Sequence, residues 1–501
     1  MDEIPAEGAD KARWRTLIVI CTAQLMVVLD GTVVNIALPS AQKDLGFSDA
    51  NRQWVVTAYT LAFGGLLLFG GRIADMWGRK NAFITGLLGF AIASALAGAA
   101  VNSGMLMGAR ALQGMFGALL APAALSLLTV TFSEAHERAK AFGIYGAISG
   151  AGAAVGLILG GVLTEYLSWR WTMFVNLFFA VPAVLGALAY VHEKAEHRNH
   201  NRLDIPGVIL ASTGLVSLVY GFTKAATDGW SSATTLGFLA ASVVLLTTFV
   251  IVESRASKPL LPLHVVTDRN RGGAYLSLGL AVVGMFGMFL FLTYYLQIVK
   301  EYSALKAGFA FLPLVVGMMI GATQIGTRLA LRVPARRLMV PGLLVGAVGM
   351  ALLTQITPTS GYTTTVLPGI FLLGLGLGTT FMPAMNLATH GVKPQDAGVA
   401  SAMVNTSQQI GGSIGTALLN TIAASATTAY VASHALRGLS PSPQDFHNAA
   451  AVHGYTTAFW WAVGFLVLAA LVAAVCINAG PEHGNVTDPN DDSVRVPVIA
   501  H

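Results

Sequence analysis

Charge is scarce in this chain. Asp, Glu, Lys and Arg make up 11% of its 501 residues, where an ordinary soluble domain carries about a quarter. Apolar types fill 54%, and the mean hydropathy is +0.66. That balance excludes a water-soluble globule and points to an integral membrane protein. Cysteine is nearly absent: Cys21 and Cys476 sit in apolar stretches near opposite ends of the sequence, which reads as packing rather than a disulfide pair. No Gly-Lys dipeptide occurs anywhere, so the phosphate-cradling loop of an ATP-driven pump is missing. HEKAEH, residues 192–197, departs from the zinc-protease pattern because Glu196 stands where the second histidine belongs. The net charge of +5 would suit nucleic acid, but the basic residues are spread thinly between apolar runs and do not gather with aromatics. An enzyme, a metal, a cofactor and a nucleic-acid partner are therefore not expected.

Long apolar runs fill the chain instead. A spanning helix needs roughly 20 mostly apolar residues, and fourteen such segments follow one another from residues 17–38 to residues 458–477. The first follows Lys11, Arg13 and Arg15 without a small-residue cleavage pattern, so it is expected to stay as a spanning helix. If every segment spans, twenty-one Lys and Arg fall on the side of the N-terminus and seven on the other, with Arg110 inside a helix. A three-to-one bias over so many short loops places both termini in the cytoplasm of a multi-pass protein. The abundance of Ala and Gly fits a bacterial genome of high GC content, hence a bacterial cytoplasmic membrane.

Charged connections divide the chain. Residues 192–202 and 253–271 are the longest basic-side links. The organisation they suggest is a six-helix bundle over 1–192, two inserted helices over 193–271, a second six-helix bundle over 272–478, and a polar tail over 479–501. A long outside segment near 425–456 carries LSPSPQDF and is expected to form a short hairpin or cap.

Two patterns carry chemistry. GGRIADMWGRK, residues 70–80, sets Asp75 among Arg72, Arg79 and Lys80 at the end of the second span, with Gly71 and Gly78 allowing close helix approach. LDGTVVNIALP, residues 29–39, puts Asp30 inside an apolar run. Asp30 lies roughly 12 Å from the outer end of its helix at 1.5 Å per residue, and Arg110, in the fourth helix, about 10 Å deep. Either charge alone costs at least about 2.5 to 3.5 kcal/mol at mid-membrane. Pairing between them is feasible.

The first pattern resembles the loop between helices two and three of the major facilitator superfamily. LDGTVVNIALP and MGARALQGMFGA, residues 107–118, look like the first- and fourth-helix motifs of its fourteen-helix drug:proton antiporters. GAGAAVGLILGGVL, residues 150–163, resembles their fifth-helix pattern, with Gly156-Leu157 where the family usually has Gly-Pro. SWRWTMFVN, residues 168–176, and residues 393–418 are also similar to that branch, so the likeness covers nearly the whole chain. It implies an all-α fold of two six-helix bundles plus two extra central helices, rocking about a central cavity.

What the resemblance implies for single residues is specific. Asp30 would bind and release the coupling proton with Arg110 beside it; a static ion pair is the alternative. Burial favours the neutral carboxyl and the cation favours the carboxylate, so solvent access could switch such a site. Gly71, Asp75, Gly78, Arg79 and Lys80 would latch the cytoplasmic gate. Gly152, Gly156, Gly160 and Gly161 leave a smooth helix face, a sliding surface between bundles in this fold. Asn35, Tyr59, Gln113, Tyr294, Tyr295, Gln297, Gln324, Asn386, Asn405, Gln408 and Gln409 are candidate cavity residues, each also a plausible helix-helix hydrogen-bonder or interface anchor. Such a lining suits amphipathic small molecules, including lipophilic cations. Proton-driven export of drugs or antibiotics by a monomer in the lipid bilayer is the function expected. A narrow exporter of one natural product and a non-transporting receptor or scaffold are the alternatives.

Overall fold

The structure, a computed structural model, describes residues 6–47, 49–132, 134–191, 203–256, 259–330, 332–435 and 443–479. Helices α1 (Ala6–Leu45), α2 (Asp49–Trp77), α3 (Arg79–Gly98), α4 (Ser103–Thr131), α5 (Ala135–Tyr166) and α6 (Trp171–Tyr190) come first. The pair α7 (Ile205–Asp228) and α8 (Ala233–Arg255) follows, then the short α9 (Leu263–Thr267). The remainder is α10 (Arg269–Tyr294), α11 (Ala304–Phe309), α12 (Leu312–Met319), α13 (Thr327–Ala330), α14 (Ala335–Leu353), α15 (Leu367–Thr389), α16 (Ala397–Ala435) and α17 (Pro443–Cys476). π-helical turns at Tyr295–Val299, Ile320–Gly326 and Tyr362–Val366 extend α10, join α12 to α13 and open α15. No strand occurs among the described residues. The HEKAEH stretch and the polar tail from 480 onward lie outside them.

Side-chain caps mark several starts. Asn102 accepts from the Met105 N–H at 2.8 Å, Asp204 from that of Gly207 at 3.0 Å, and Asp268 from that of Arg271 at 2.9 Å. Each satisfies a first-turn donor that the helix itself leaves open.

Polar contacts fix which helix ends lie together. Arg13 pairs with Glu137 at 2.8 Å, the Thr16 hydroxyl donates to the Tyr190 carbonyl at 2.9 Å, and Arg271 donates to the His390 carbonyl at 3.3 Å. These join the starts of α1, α5 and α10 to the ends of α6 and α15, at what is here called the basic end. At the opposite end Arg170 pairs with Asp44 at 3.0 Å, and Trp230 donates from Nε1 to Thr421 Oγ1 at 3.0 Å.

Twelve helical segments among the described residues are long and apolar enough to cross a membrane. The other two expected spans, α5 and α16, are not in that set, yet at 32 and 39 residues they also run between the two ends. Large apolar side chains stay exposed on the outward faces, including Phe178, Val181 and Leu185 of α6 and Val243, Val244 and Val250 of α8. Contiguous apolar surface of that kind is suited to lipid.

Within the first half α2 and α3 pack on α4, while α1 packs on α5 and α6. In the second half α10 packs on α16 and α17, and α15 on α12 and α14. The halves meet along two seams: α2 and α4 against α16, and α5 against α11, α12, α13 and α15. Helix α7 pairs with α8 and leans on both α2 and α16.

The glycine face of α5 corrects one expectation. Gly152 faces Val28, Gly156 faces Thr32 and Leu29, and Gly160 faces the backbone of Val33. The stripe therefore seats α1 inside the first half, and it is other residues of α5 that form the seam: Gly143 meets Thr327, and Ile158 meets Gly308. Periodicity reveals a smooth face but not its occupant. The segment near 425–456 is largely helical, because α16 continues to Ala435 and α17 begins at Pro443. There the Tyr430 ring lies 5.0 Å from His453 and 6.2 Å from Phe446.

Backbones approach closely where glycine allows, which is how helices associate in lipid without a hydrophobic driving force. A side chain on Gly376 of α15 would run into the Gly342 carbonyl and the Gly346 amide of α14. Gly376→Val should lower the thermal unfolding midpoint in detergent, by the equivalent of about 1–3 kcal/mol of overpacking. Gly464→Ala, where a Cβ meets nothing within 4 Å, should leave it in place. Equal midpoints for both variants would contradict this account of the α14–α15 crossing.

Candidate functional site

Asp30 and Arg110 are brought together. Arg110 Nη1 donates to Asp30 Oδ2 at 2.5 Å, and the two side chains are 2% and 0% exposed. The other carboxylate oxygen, Oδ1, accepts from Gln113 Nε2 at 3.0 Å and from Asn176 Nδ2 at 2.8 Å. Arg110 also donates to Gln113 Oε1 at 2.8 Å, and its guanidinium lies 4.4 Å from the centre of the Tyr59 ring. Ser94 Oγ accepts from both Gln113 Nε2 and Asn176 Nδ2, at 2.5 and 3.0 Å.

Five side chains from four helices thus gather around one carboxylate, that of Asp30 of α1: Tyr59 from α2, Ser94 from α3, Arg110 and Gln113 from α4, and Asn176 from α6. A buried ion pair is tolerable when its remaining hydrogen-bonding positions are filled. Three donors do that for Asp30. Spacing helps: Arg110 and Gln113 are three apart on one helix, so they share a face. In this conformation Asp30 is enclosed, 1% exposed, so a substrate reaches it only after the site opens.

A second buried carboxylate spans the halves. Asp75, near the end of α2, accepts from Arg79 Nη2 at 3.1 Å and from the backbone N–H groups of Gly398 and Val399 at 2.8 and 3.1 Å. Those N–H groups belong to the first turn of α16, which is left without intrahelical acceptors and carries the positive end of the helix dipole. Arg79 Nε donates in turn to Ser126 Oγ of α4 at 2.6 Å. Gly71 and Gly398 bring the two backbones together; a Cβ on Gly71 would lie 2.5 Å from the Gly398 carbonyl. Gly78 has φ 104°, a conformation that favours glycine, and turns the chain from α2 into α3. Lys80 reaches across to the Leu188 carbonyl at 3.2 Å. Beside this contact Arg72 Nη1 stands 3.8 Å from Asp396. Arg138 of α5 donates to Thr389 Oγ1 of α15 at 3.1 Å, so both seams are clasped at the basic end.

The other candidates do not form one cluster. Tyr59 and Gln113 belong to the Asp30 site. The Tyr295 hydroxyl donates to the Thr357 carbonyl at 2.9 Å, and Asn405 Nδ2 to the Ser401 carbonyl at 2.9 Å. Tyr294 is 40% exposed and its ring lies 6.4 Å from that of Tyr455. Gln297 is half-buried in the π turn after α10, Asn386 is buried in α15, and Gln408 is half-buried in α16. Gln409 lies against Gly64 of α2. Gln324 is exposed and lines a cavity of about 630 Å³ with His136, Thr327, Arg328 and Arg332 at the basic end. The side chains of Asn35 and Leu157 lie outside the described residues.

Sequence reasoning missed Ser94, Asn176, Ser126 and Gly398. Asn176 ends the SWRWTMFVN run, a polar residue in an apolar stretch, and so left a trace. Ser94 and Gly398 left none, because small residues are common in spanning helices.

Two helical halves that meet along seams, with a buried ion pair inside one half and a breakable charge contact between them, define a membrane transporter. The chain belongs to the Major Facilitator Superfamily, whose family model matches residues 20–416. It is 51% identical over 489 residues to the puromycin resistance protein pur8 of Streptomyces alboniger, covering 97% of this chain and 96% of that one. It is 39% identical over 423 residues to the cephamycin export protein CmcT of Amycolatopsis lactamdurans, covering 83% and 87%. The tetracenomycin C resistance and export protein of Streptomyces glaucescens shares 34% over 421 residues, covering 84% and 78%. Among solved structures the human organic anion transporter MFSD10 has the same fold, with a TM-score of 0.63 at 14% identity over 92% of this chain and 99% of that one.

The α2–α16 contact can be tested without a substrate. Ala402 is fully buried against Gly71, so a cysteine there reports opening of the seam when Cys21 and Cys476 are replaced. Asp75→Asn weakens hydrogen bonds to a charged acceptor, worth about 1.5–3 kcal/mol each. Labelling of Ala402→Cys by a water-soluble maleimide should speed up at least about tenfold. An unchanged rate would show that Asp75 does not hold the seam closed.

Proposed function

We propose that this protein exports amphipathic antibiotic-like molecules across a bacterial cytoplasmic membrane in exchange for protons, by alternating access. In this reading the basic end faces the cytoplasm, following the loop-charge bias. Residues 1–192 and 272–478 rock against one another, with 193–271 as the inserted pair. Asp30 carries the proton. The observation that supports this most is the enclosure of a carboxylate, bonded by α4 and α6, at mid-height of a transporter helix. Membrane-buried acids of this kind mark proton pathways. Relatives whose names record resistance to or export of puromycin, cephamycin and tetracenomycin C support the direction and the substrate class.

The cycle follows from the two carboxylates. With Asp75 seated on the first turn of α16, the cytoplasmic side is shut and the outer side is the one that opens. Proton arrival at Asp30 removes half of its ion pair with Arg110. The register of α1 against α4 then loosens, the Asp75 contact is released, and the cavity turns inward. Substrate entry from the cytoplasm favours loss of the proton, and the pair reforms. No cofactor is required in such a scheme; the proton gradient supplies the energy.

A narrower reading has one observation in its favour: each of those three relatives is named for a single compound. Puromycin is the first compound to test, alongside a lipophilic cation and a neutral dye.

In vesicles containing purified protein, an imposed pH gradient should drive accumulation of substrate by the wild type. Asp30→Asn should lose at least about nine-tenths of that accumulation while still binding substrate, since the coupling acid is gone and the neutral amide keeps the packing. Equal proton-driven transport by both would make Asp30 a structural charge and move the proton site elsewhere.

A further inference from the structure

Two buried atoms of the Asp30 cluster have no hydrogen-bond partner among the described residues, the donor Arg110 Nε and the acceptor Asn176 Oδ1. Asn176 is 0% exposed, and its Nδ2 donates to both Asp30 Oδ1 and Ser94 Oγ. Its Oδ1 is buried and accepts no hydrogen bond from any group among the described residues. A buried amide oxygen left idle costs about 1–3 kcal/mol, and an idle acceptor beside a buried carboxylate calls for an explanation.

Protonation of Asp30 supplies one. A neutral carboxyl carries an O–H that must itself be accepted. Arg110 has no acceptor. Gln113 has its Oε1 engaged by Arg110 at 2.8 Å, so turning its amide would break that contact. Ser94 Oγ already accepts two N–H groups. Asn176 Oδ1 is the acceptor still available. A half-turn about the Cβ–Cγ bond exchanges Nδ2 and Oδ1 in place, with little change in volume.

We propose that Asn176 is a two-way positioning residue for the coupling proton, its amide N–H facing the Asp30 carboxylate and its amide oxygen facing the protonated acid. In the ionised state Nδ2 is one of three donors to the carboxylate. In the neutral state the turned amide accepts from the Asp30 O–H, and the Ser94 hydroxyl switches from accepting to donating toward the same oxygen. Both states keep Asp30 tied to α6, and through the Asn176 amide to Ser94 of α3, when its hold on Arg110 weakens. The proton is thereby taken up without leaving the acid unpaired in the interior, and α1 moves with α3 and α6 instead of separating from them. Among the groups facing Asp30, Arg110 of α4 is the charged partner and Tyr59 of α2 the titratable neighbour; Ser94 of α3, Asn176 of α6 and the glycine face of α5 bring no charge. This inference deepens the proton-coupling reading and rests on it for its functional meaning.

The test reads Asp30 directly. Infrared difference spectra of the purified protein across pH should show a protonated-carboxyl band that is missing in Asp30→Asn, and a change in an asparagine amide band that is missing in Asn176→Leu, with the same midpoint. Asn176→Leu removes a donor to the ionised form, and bonds to charge are the stronger ones. Its carboxyl band should therefore titrate about one pH unit higher, a tenfold gain in proton affinity, and the pH profile of transport should follow while substrate KM stays within about twofold. Asn176→Thr, whose hydroxyl can both donate and accept, should restore most of the wild-type midpoint. An Asn176→Leu midpoint equal to wild type overturns the proposal, as does an amide band that ignores the carboxyl titration, or an Asn176→Thr midpoint no closer to wild type than that of leucine. If the bands behave as stated but Asp30→Asn still transports with the proton gradient, the role of Asn176 stands and the coupling role of Asp30 falls.

Discussion

Burying the Asp30 carboxylate is the constraint around which the first half is arranged. A charge in the membrane interior survives only where the protein replaces the water it lost, and here the replacements come from α4 and α6, with Ser94 of α3 accepting from the two amides that hold the carboxylate. Arg110 and Gln113 fix the rotation of α4, Asn176 that of α6, and Ser94 that of α3. The glycine face of α5 then lets α1 sit deep enough for its carboxylate to reach them. Moving α1 or α4 by a turn would leave a buried charge unpaired, and moving α6 would take away the Asn176 donor. The half therefore behaves as one body.

Asp75 obeys the same rule with a different result. Its acceptor oxygens are filled by Arg79 from its own half, but also by two backbone donors from α16. A carboxylate whose partners all lie in one body stiffens that body; one whose partners lie in two bodies makes a joint. Asp75 stands close to the helix end, so water can replace its lost donors when the seam parts. Asp30, enclosed at mid-height, has no such substitute. Under the proposed cycle, that difference in depth is what suits Asp75 to a latch and Asp30 to a proton.

The conspicuous part of this architecture was legible in the sequence. Asp30 and Arg110 stand out because charge interrupts apolar runs, and helix rise alone set them at similar depth. The basic loops gave alternation of the helices, and the fold followed from the motifs. What stayed hidden depends on tertiary placement. Asp75 meets Gly398, more than 300 positions away, and nothing local in either stretch marks the partner. The α5 glycines announced a close neighbour but fit α1 as well as they would a helix of the other half. Ser94 and Asn176 are neutral and small, and only the carboxylate they touch sets them apart from ordinary packing residues. The polar and aromatic candidates of the second half failed to cluster because several, such as Tyr295 and Asn405, already serve backbone carbonyls nearby.

The two seams are not equivalent, and the α7–α8 pair is the reason. Along α2 and α16, helix α7 leans on both partners: Gly65 of α2 faces Val216, the Trp54 and Tyr220 rings lie 5.9 Å apart, and Leu68, Ala211, Leu215, Val399 and Ala402 share one apolar cluster. In the last turn of α8, Glu253 accepts from the Leu260 and Leu261 N–H groups at 3.2 and 3.1 Å and folds the connection that follows into the same cluster. Along α5, by contrast, the second half is met directly by α11, α12, α13 and α15. If the α2–α16 seam parts as the proposed cycle requires, α7 must stay with one side and expose its contacts to the other, whereas the α5 seam has no third helix to divide, only its own clasp from Arg138 to Thr389. The apolar surface α7 would uncover faces lipid rather than water, so the separation costs packing but little hydrophobic free energy. In the proposed cycle the α7–α8 pair thus bridges the α2–α16 seam without locking it.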